Sequence, residues 1–149
     1  MKKKIFAVVD TNVIVSGMIT SNPASPTAKV LDCLGEKHIT PLYCEEILQE
    51  YESVLSRDKF NLPKEKIEKF LKMMKSDGLA SNRVSTNEAF TDPKDVVFYE
   101  VALSKEDSFL VTGNIKHFPK VDMVVTPAEM MEIIKRNLEE KPAATSAFS

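Results

Sequence analysis

A chain of 149 residues, 43% hydrophobic and 28% charged, has the size and composition of one soluble globular domain with one core, which excludes a disordered chain. A net charge of −2 argues against a strongly basic, sequence-indifferent nucleic-acid binder, although local patches stay open. No apolar stretch approaches the roughly 20 residues of a membrane span, and Cys33 and Cys44 are too few for a disulfide scaffold and lack metal-ligand spacing. The expectation is a cytoplasmic protein with buried reduced thiols, no zinc site and no membrane association.

Short β-branched runs alternate with longer segments of helical periodicity, the pattern of an α/β fold with a mostly parallel sheet flanked by helices. Residues 5–9 (IFAVV) read as a central strand buried on both faces, since a covered parallel sheet wants a continuous apolar run. Beyond Asp10, a loop rich in Ser, Asn and Pro is expected to lead to a helix over 26–36, with Ser25 as N-cap and Pro26 in its first turn. Residues 38–43 (HITPLY) form a weak second strand, in which Pro41 disfavours a central place. Helices follow over 44–57 and 63–77, the latter bracketed by Pro63 and Gly78, and then a strand over 79–85. TDPKDVVFYEVALSKED (91–107) reads as a helix entered through Asp92 and Pro93, and SFLVT (108–112) as a buried strand. VDMVV (121–125) is a last strand, and 127–138 a last helix entered through Thr126 and Pro127. The domain is placed at 1–138. The tail 139–149 has no periodicity and is expected to be disordered, or ordered only against a partner.

Acidic residues in this frame need a reason. Asp10 falls at the end of the first strand, where open parallel sheets bind ligands in the crevice beyond the strand ends. An Asp there equally suits a helix cap or an Asx-turn. Along the 44–57 helix, at roughly 100° per residue, Ile47, Leu48, Tyr51, Val54 and Leu55 share one face, and Glu50 borders it more closely than Glu46. Such an edge glutamate is ordinarily solvated or salt-bridged. Asp92 and Asp95 make a good helix start, one as cap and one in the dipole-favoured first turn. The same placement would bring a carboxylate beside Asp10. If Asp10, Glu50 and Asp95 converge, their repulsion requires a neutralising cation. All-oxygen ligation suits Mg²⁺ or Mn²⁺, which bind phosphate oxygens and can activate water against a phosphodiester.

These residues, in their order and context, resemble the PIN domain family, and more closely its toxin subgroup from prokaryotic toxin-antitoxin systems. The likeness runs from about Lys4 to Thr126 and is carried by VVDTNVIVSG (8–17), EEILQEYESVLSRDKF (45–60), DPKDVVFYEVAL (92–103) and LVTGNIKHFP (110–119). It implies a three-layer α/β/α fold, an acidic Mg²⁺ or Mn²⁺ site and cleavage of RNA phosphodiester bonds. For toxin members it also implies a homodimer and inhibition by a cognate antitoxin protein. Carried over residue by residue, the catalytic, metal-holding acids fall on Asp10, Glu50 and Asp95, with Asp92 as an adjacent acid of the same motif. Thr11 and Asn12 match the small polar residues after the first acid, and Thr112 the threonine that ends the fourth motif's strand. Asn114 stands where many members hold a further aspartate. An amide adds no charge, so one firmly held ion is expected, with any second arriving with substrate.

Lys116, His117 and Lys120 follow Asn114 and form a candidate RNA-contacting rim. His117 could meet phosphate or shuttle a proton but is assigned no catalytic role. Lys66, Lys69, Lys72 and Lys75 recur every third residue and could track a phosphate backbone, although a solvated helix face is the simpler reading. His38, opening a strand, is read as structural. Two other functions stay open. A haloacid-dehalogenase-like phosphotransferase would use Asp10 as nucleophile, yet that chemistry wants a second Asp two residues on, where this chain has Asn12. A PIN-like binding module without nuclease activity is kept open by Asn114 and the acidic net charge.

Overall fold

Ala7, Val8 and Val9 are all fully buried. Successive strand side chains point to opposite faces, so a strand buried at consecutive positions must be covered on both. This strand, β1 (Phe6–Val9), is the middle of the sheet in a computed structural model that describes residues 3–139. The elements following it are α1 (Thr11–Ile19), α2 (Pro26–Gly35), β2 (Thr40–Tyr43), α3 (Glu45–Leu55), α4 (Lys64–Asp77) and β3 (Leu79–Ala80). Then come α5 (Pro93–Leu103), β4 (Phe109–Val111), β5 (Val124–Val125) and α6 (Pro127–Glu139). The sheet order is β3-β2-β1-β4-β5, and every neighbouring pair is parallel. One helical layer is made by α1, α2 and α6 and the other by α3, α4 and α5, giving the three-layer α/β/α arrangement. Among the described residues no helix is long and apolar enough to cross a membrane. The expected disordered tail lies, apart from Glu139, outside the described residues.

The expected loop after Asp10 is instead the helix α1. Val13, Ile14 and Val15 are β-branched and each lowers helix propensity by up to about 0.7 kcal/mol. All three are buried, and burial contributes about 1.5–3 kcal/mol per side chain, so packing outweighs propensity. Gly17 lets α1 lie close to α2: a Cβ there would stand 2.7 Å from Leu31 Cδ1 and 2.8 Å from the Thr27 carbonyl oxygen. The Ser16 and Thr27 hydroxyls join across the same contact at 3.1 Å.

Pro41 does not keep β2 from an inner place, with β1 on one side and β3 on the other. The Thr40 N–H donates to Ile5 O on the β1 side, so the N–H that Pro41 lacks would face β3. Pairing with β3 starts only at Leu42, one residue later, so no ladder bond is lost. The strand expected over 79–85 shrinks to Leu79–Ala80. The helix expected to run through 107 ends at Leu103, where the Ser104 and Ser108 hydroxyls donate to Val101 O and Ala102 O, and Asp107 adopts a left-handed φ of 61°. The last strand, expected over 121–125, is likewise cut to Val124–Val125. The remaining boundaries lie within two residues of expectation, and Ser25 caps α2 by accepting from the Ala28 N–H.

Candidate functional site

The site is built outward from the end of β1. The Asp10 N–H donates to Val111 O on β4 at 2.9 Å, which fixes the backbone, and α1 begins at the next residue. Asp10 therefore occupies the N-cap position, but its side chain makes no capping hydrogen bond. It is turned to Thr112, whose Oγ1 donates to Asp10 Oδ2 at 2.8 Å. Thr112 is itself held on the far side, its N–H donating to Val125 O and its Oγ1 accepting from the Asn114 N–H at 3.0 Å. The amide backbone of Asn114 thus orients the threonine that orients the acid.

Asp10 is 6% exposed. Burial pushes its carboxyl above the usual aspartate value of 3.8, against the opposing pull of the Thr112 hydroxyl, the N–H dipoles of Asn12 and Thr11, and His117. Tyr51, fully buried on α3, donates its hydroxyl to Val9 O and so fastens the Glu50 helix to the strand end. Burial, then the nearby charge of Asp10, raises the Tyr51 hydroxyl far above its ordinary value.

The second acid arrives on α5. Asp92 caps it, with Oδ1 accepting from the Lys94 N–H at 2.9 Å, as expected for a cap followed by Pro93. Asp95, half-buried in the first turn, is raised by burial, then by the negative charges of Asp10 and Asp92; His117 acts the other way. His117 Nδ1 lies 3.6 Å from Asp95 Oδ2. Asp10 and Asp95 thus share one electrostatic environment, together with Asp92, Thr112 and His117.

Glu50 is placed differently. Its carboxylate is 24% exposed and lies 4.0 Å from Lys94 Nζ. The two line a cleft of about 300 Å³ with Glu46, Gln49, Val97 and Phe98. No group of three or more His, Cys, Asp or Glu side chains among the described residues is assembled to hold a metal ion. The donor chemistry nonetheless fits a hard divalent cation: two carboxylates each raised by burial, Asp95 raised further by the charge of Asp10, all-oxygen donors, and no Lys or Arg ion pair to either among the described residues. Beside them the buried Thr11 Oγ1 has no hydrogen-bond partner.

Of the remaining expected residues, Asn12, Lys116, His117 and Lys120 are exposed and Asn114 is half-buried. Lys66, Lys69, Lys72 and Lys75 are all exposed along α4. His38 is half-buried, with Nε2 3.6 Å from Glu36 Oε1. Cys33 is buried, its thiol pushed up to about 11 by burial, whereas Cys44 is only half-buried; both are free.

Sequence reasoning missed three supporting residues. Tyr51 was placed on the apolar face without a hydroxyl partner, although a buried Tyr usually needs one. Arg83 and Glu100 had no local signal. Arg83 Nε donates to Glu100 Oε1 and its Nη1 to Glu46 Oε2, both at 2.8 Å, and the Thr86 N–H reaches Glu100 Oε2 at 3.2 Å. This clamp ties residues 81–91 to α5 and α3. Phe90 closes the far end of that segment against Tyr99 and Phe118, with ring centroids 5.5 and 6.0 Å apart.

No curated protein matches the chain. A family profile described as PIN domain matches residues 7–116, from the first residues of β1 to the turn that carries Asn114 and Lys116. That match takes in Asp10 at the end of β1, Glu50 on α3 and Asp95 in the first turn of α5, and the chain therefore belongs to the PIN domain family, whose members are generally nucleases that use divalent metal ions.

Proposed function

We propose that the chain is a Mg²⁺- or Mn²⁺-dependent endoribonuclease, acting as the toxin of a toxin-antitoxin pair in the cytoplasm. The observation that carries the reading is the coupled acid pair Asp10 and Asp95, each raised by burial and set at the ends of β1 and the start of α5. Keeping two such carboxylates together costs stability unless a cation shares them. Asp10 and Asp95 would hold the ion, with Asp92 beside them and Glu50 as the third family acid. The bound cation supplies an activated water and neutralises the charge that builds up on the phosphodiester.

The protein's own side chains do the rest. Thr112 keeps Asp10 Oδ2 aimed and, by hydrogen bonding to the charged form, opposes the burial that raises its carboxyl. Asn12, exposed at the start of α1, and Asn114, at the rim, offer neutral hydrogen bonds to substrate or water. Lys116 and Lys120 offer donors to phosphate on a groove of about 550 Å³ lined also by Ile115, Phe118, Val121 and Asp122, while His117, between them in sequence, faces Asp95. A groove with apolar walls and a basic rim suits single-stranded RNA with unstacked bases. A homodimer and a cognate antitoxin complete the proposal.

The test is cleavage of end-labelled single-stranded RNA by purified protein with Mg²⁺, Mn²⁺ or chelator, run beside hydrolysis of a phosphate monoester. Metal-dependent internal cleavage without monoester hydrolysis is expected. Monoester hydrolysis alone would favour the phosphotransferase. Growth arrest that survives Asp10→Asn would favour the binding module.

A further inference from the structure

Lys94 stands where a cation is locally unfavourable. It is the second residue of α5, and the positive end of a helix dipole disfavours an ammonium group there. Asp92 and Asp95 flank it in sequence, yet its Nζ pairs with neither. Its one ion pair among the described residues is with Glu50, on α3, at 4.0 Å. That carboxylate is the family acid left out of the Asp10 and Asp95 pair. A residue that breaks a local rule next to a functional site invites a functional reason.

On the ribonuclease reading above, we infer that Lys94 is a positioning residue that withholds Glu50, so that loading the cation site exchanges a tethered ammonium for a divalent ion. The pair is suited to exchange. Lys94 is 65% exposed and Glu50 24%, and an ion pair this open shifts an equilibrium by at most about fivefold. Such a latch holds Glu50 aside when the ion is scarce and releases it when the ion, with twice the charge, is present. Lys94 would then set the cation concentration at which the site becomes complete. No group is protonated or deprotonated in the exchange.

The test is Mn²⁺ binding, measured by calorimetry and by the electron paramagnetic resonance of free Mn²⁺ at fixed ionic strength. The proteins are wild type, Lys94→Gln, Lys94→Arg, Glu50→Gln, the Lys94→Gln/Glu50→Gln double variant and Asp10→Asn. Lys94→Gln is expected to bind about two- to fivefold more tightly, and Lys94→Arg like wild type. The gain should vanish in the Glu50→Gln background, because only Glu50 is released. Unchanged or weaker binding by Lys94→Gln overturns the inference. So does a gain that persists without Glu50, which would reflect simple removal of a nearby charge. If Asp10→Asn binds Mn²⁺ as well as wild type, or wild type binds none, the ribonuclease reading fails with it. If Asp10→Asn loses binding while Lys94→Gln is unaltered, only the Lys94 inference fails.

Discussion

Thr112 Oγ1 donates a 2.8 Å hydrogen bond to Asp10 Oδ2, joining two buried side chains that the sheet brings together from 102 residues apart. Thr112→Val keeps the shape and removes the donor. A buried acceptor that loses its partner costs about 1–3 kcal/mol, and the ionised form of Asp10 loses its strongest side-chain support. The acid limb of the pH-rate profile should therefore move to higher pH and stability should fall. Thr112→Ser should restore both. Chemical denaturation at pH 7 and a pH-rate profile check this.

Asp10→Asn should make the fold more stable at neutral pH. Unfolded Asp10 titrates near the usual 3.8, while the folded form holds its proton to higher pH. Between those values the native state binds more protons, so stability falls as pH rises through the window and stays lower above it. Below 3.8 both forms are neutral and the penalty is absent. The variant's advantage should thus appear at pH 7 and vanish in acid, read as a melting-temperature shift of about 2–4 °C per kcal/mol. Asp95→Asn should behave in the same direction. A lower melting temperature for Asp10→Asn at pH 7 would contradict the burial account.

Much of this was legible because it is local. The apolar run into Asp10, the Ser25 cap, the Asp92-Pro93 helix start and the Glu50 edge of an apolar helix face each depend on neighbours a few residues away. The α1 helix was not legible, because Val13, Ile14 and Val15 favour a strand by propensity and a helix only once buried. Pro41 misled because its missing N–H matters only where a neighbouring strand is paired, and β3 starts one residue too late. The family resemblance put Glu50 with Asp10 and Asp95, but its pairing with Lys94 on another helix depends on tertiary packing that no spacing reveals.

Tyr51→Phe isolates one such long-range link. Phe keeps the ring packing on Phe70 and Phe98, whose centroids lie 5.7 and 6.2 Å away, and deletes only the hydroxyl that serves Val9 O. An expected loss of about 1–3 kcal/mol follows from an unpaired buried carbonyl. Urea denaturation measures it, and a neutral result would mean that another donor takes over Val9 O.

Arg83→Ala leaves the nearly buried Glu100 without its cation. Because Arg83 is itself 35% exposed, the loss should be nearer 1–3 kcal/mol than the larger cost of breaking a fully buried pair. Adding Glu100→Gln should recover part of it, since the stranded charge is gone. Hydrogen exchange should quicken at the amides of Val84 and Thr86, which bond to Glu100.

The central claim is that Asp10 and Asp95 together hold the cation that cleaves RNA. Its most direct measurement is the rate of single-stranded RNA cleavage against Mn²⁺ concentration for wild type, Asp10→Asn and Asp95→Asn, each first shown folded by its cooperative melt. The account predicts saturable Mn²⁺ dependence for wild type and a loss of at least about 100-fold for each variant, the scale of removing an electrostatic contact to the transition state. Cleavage by either folded variant at the wild-type rate would contradict it.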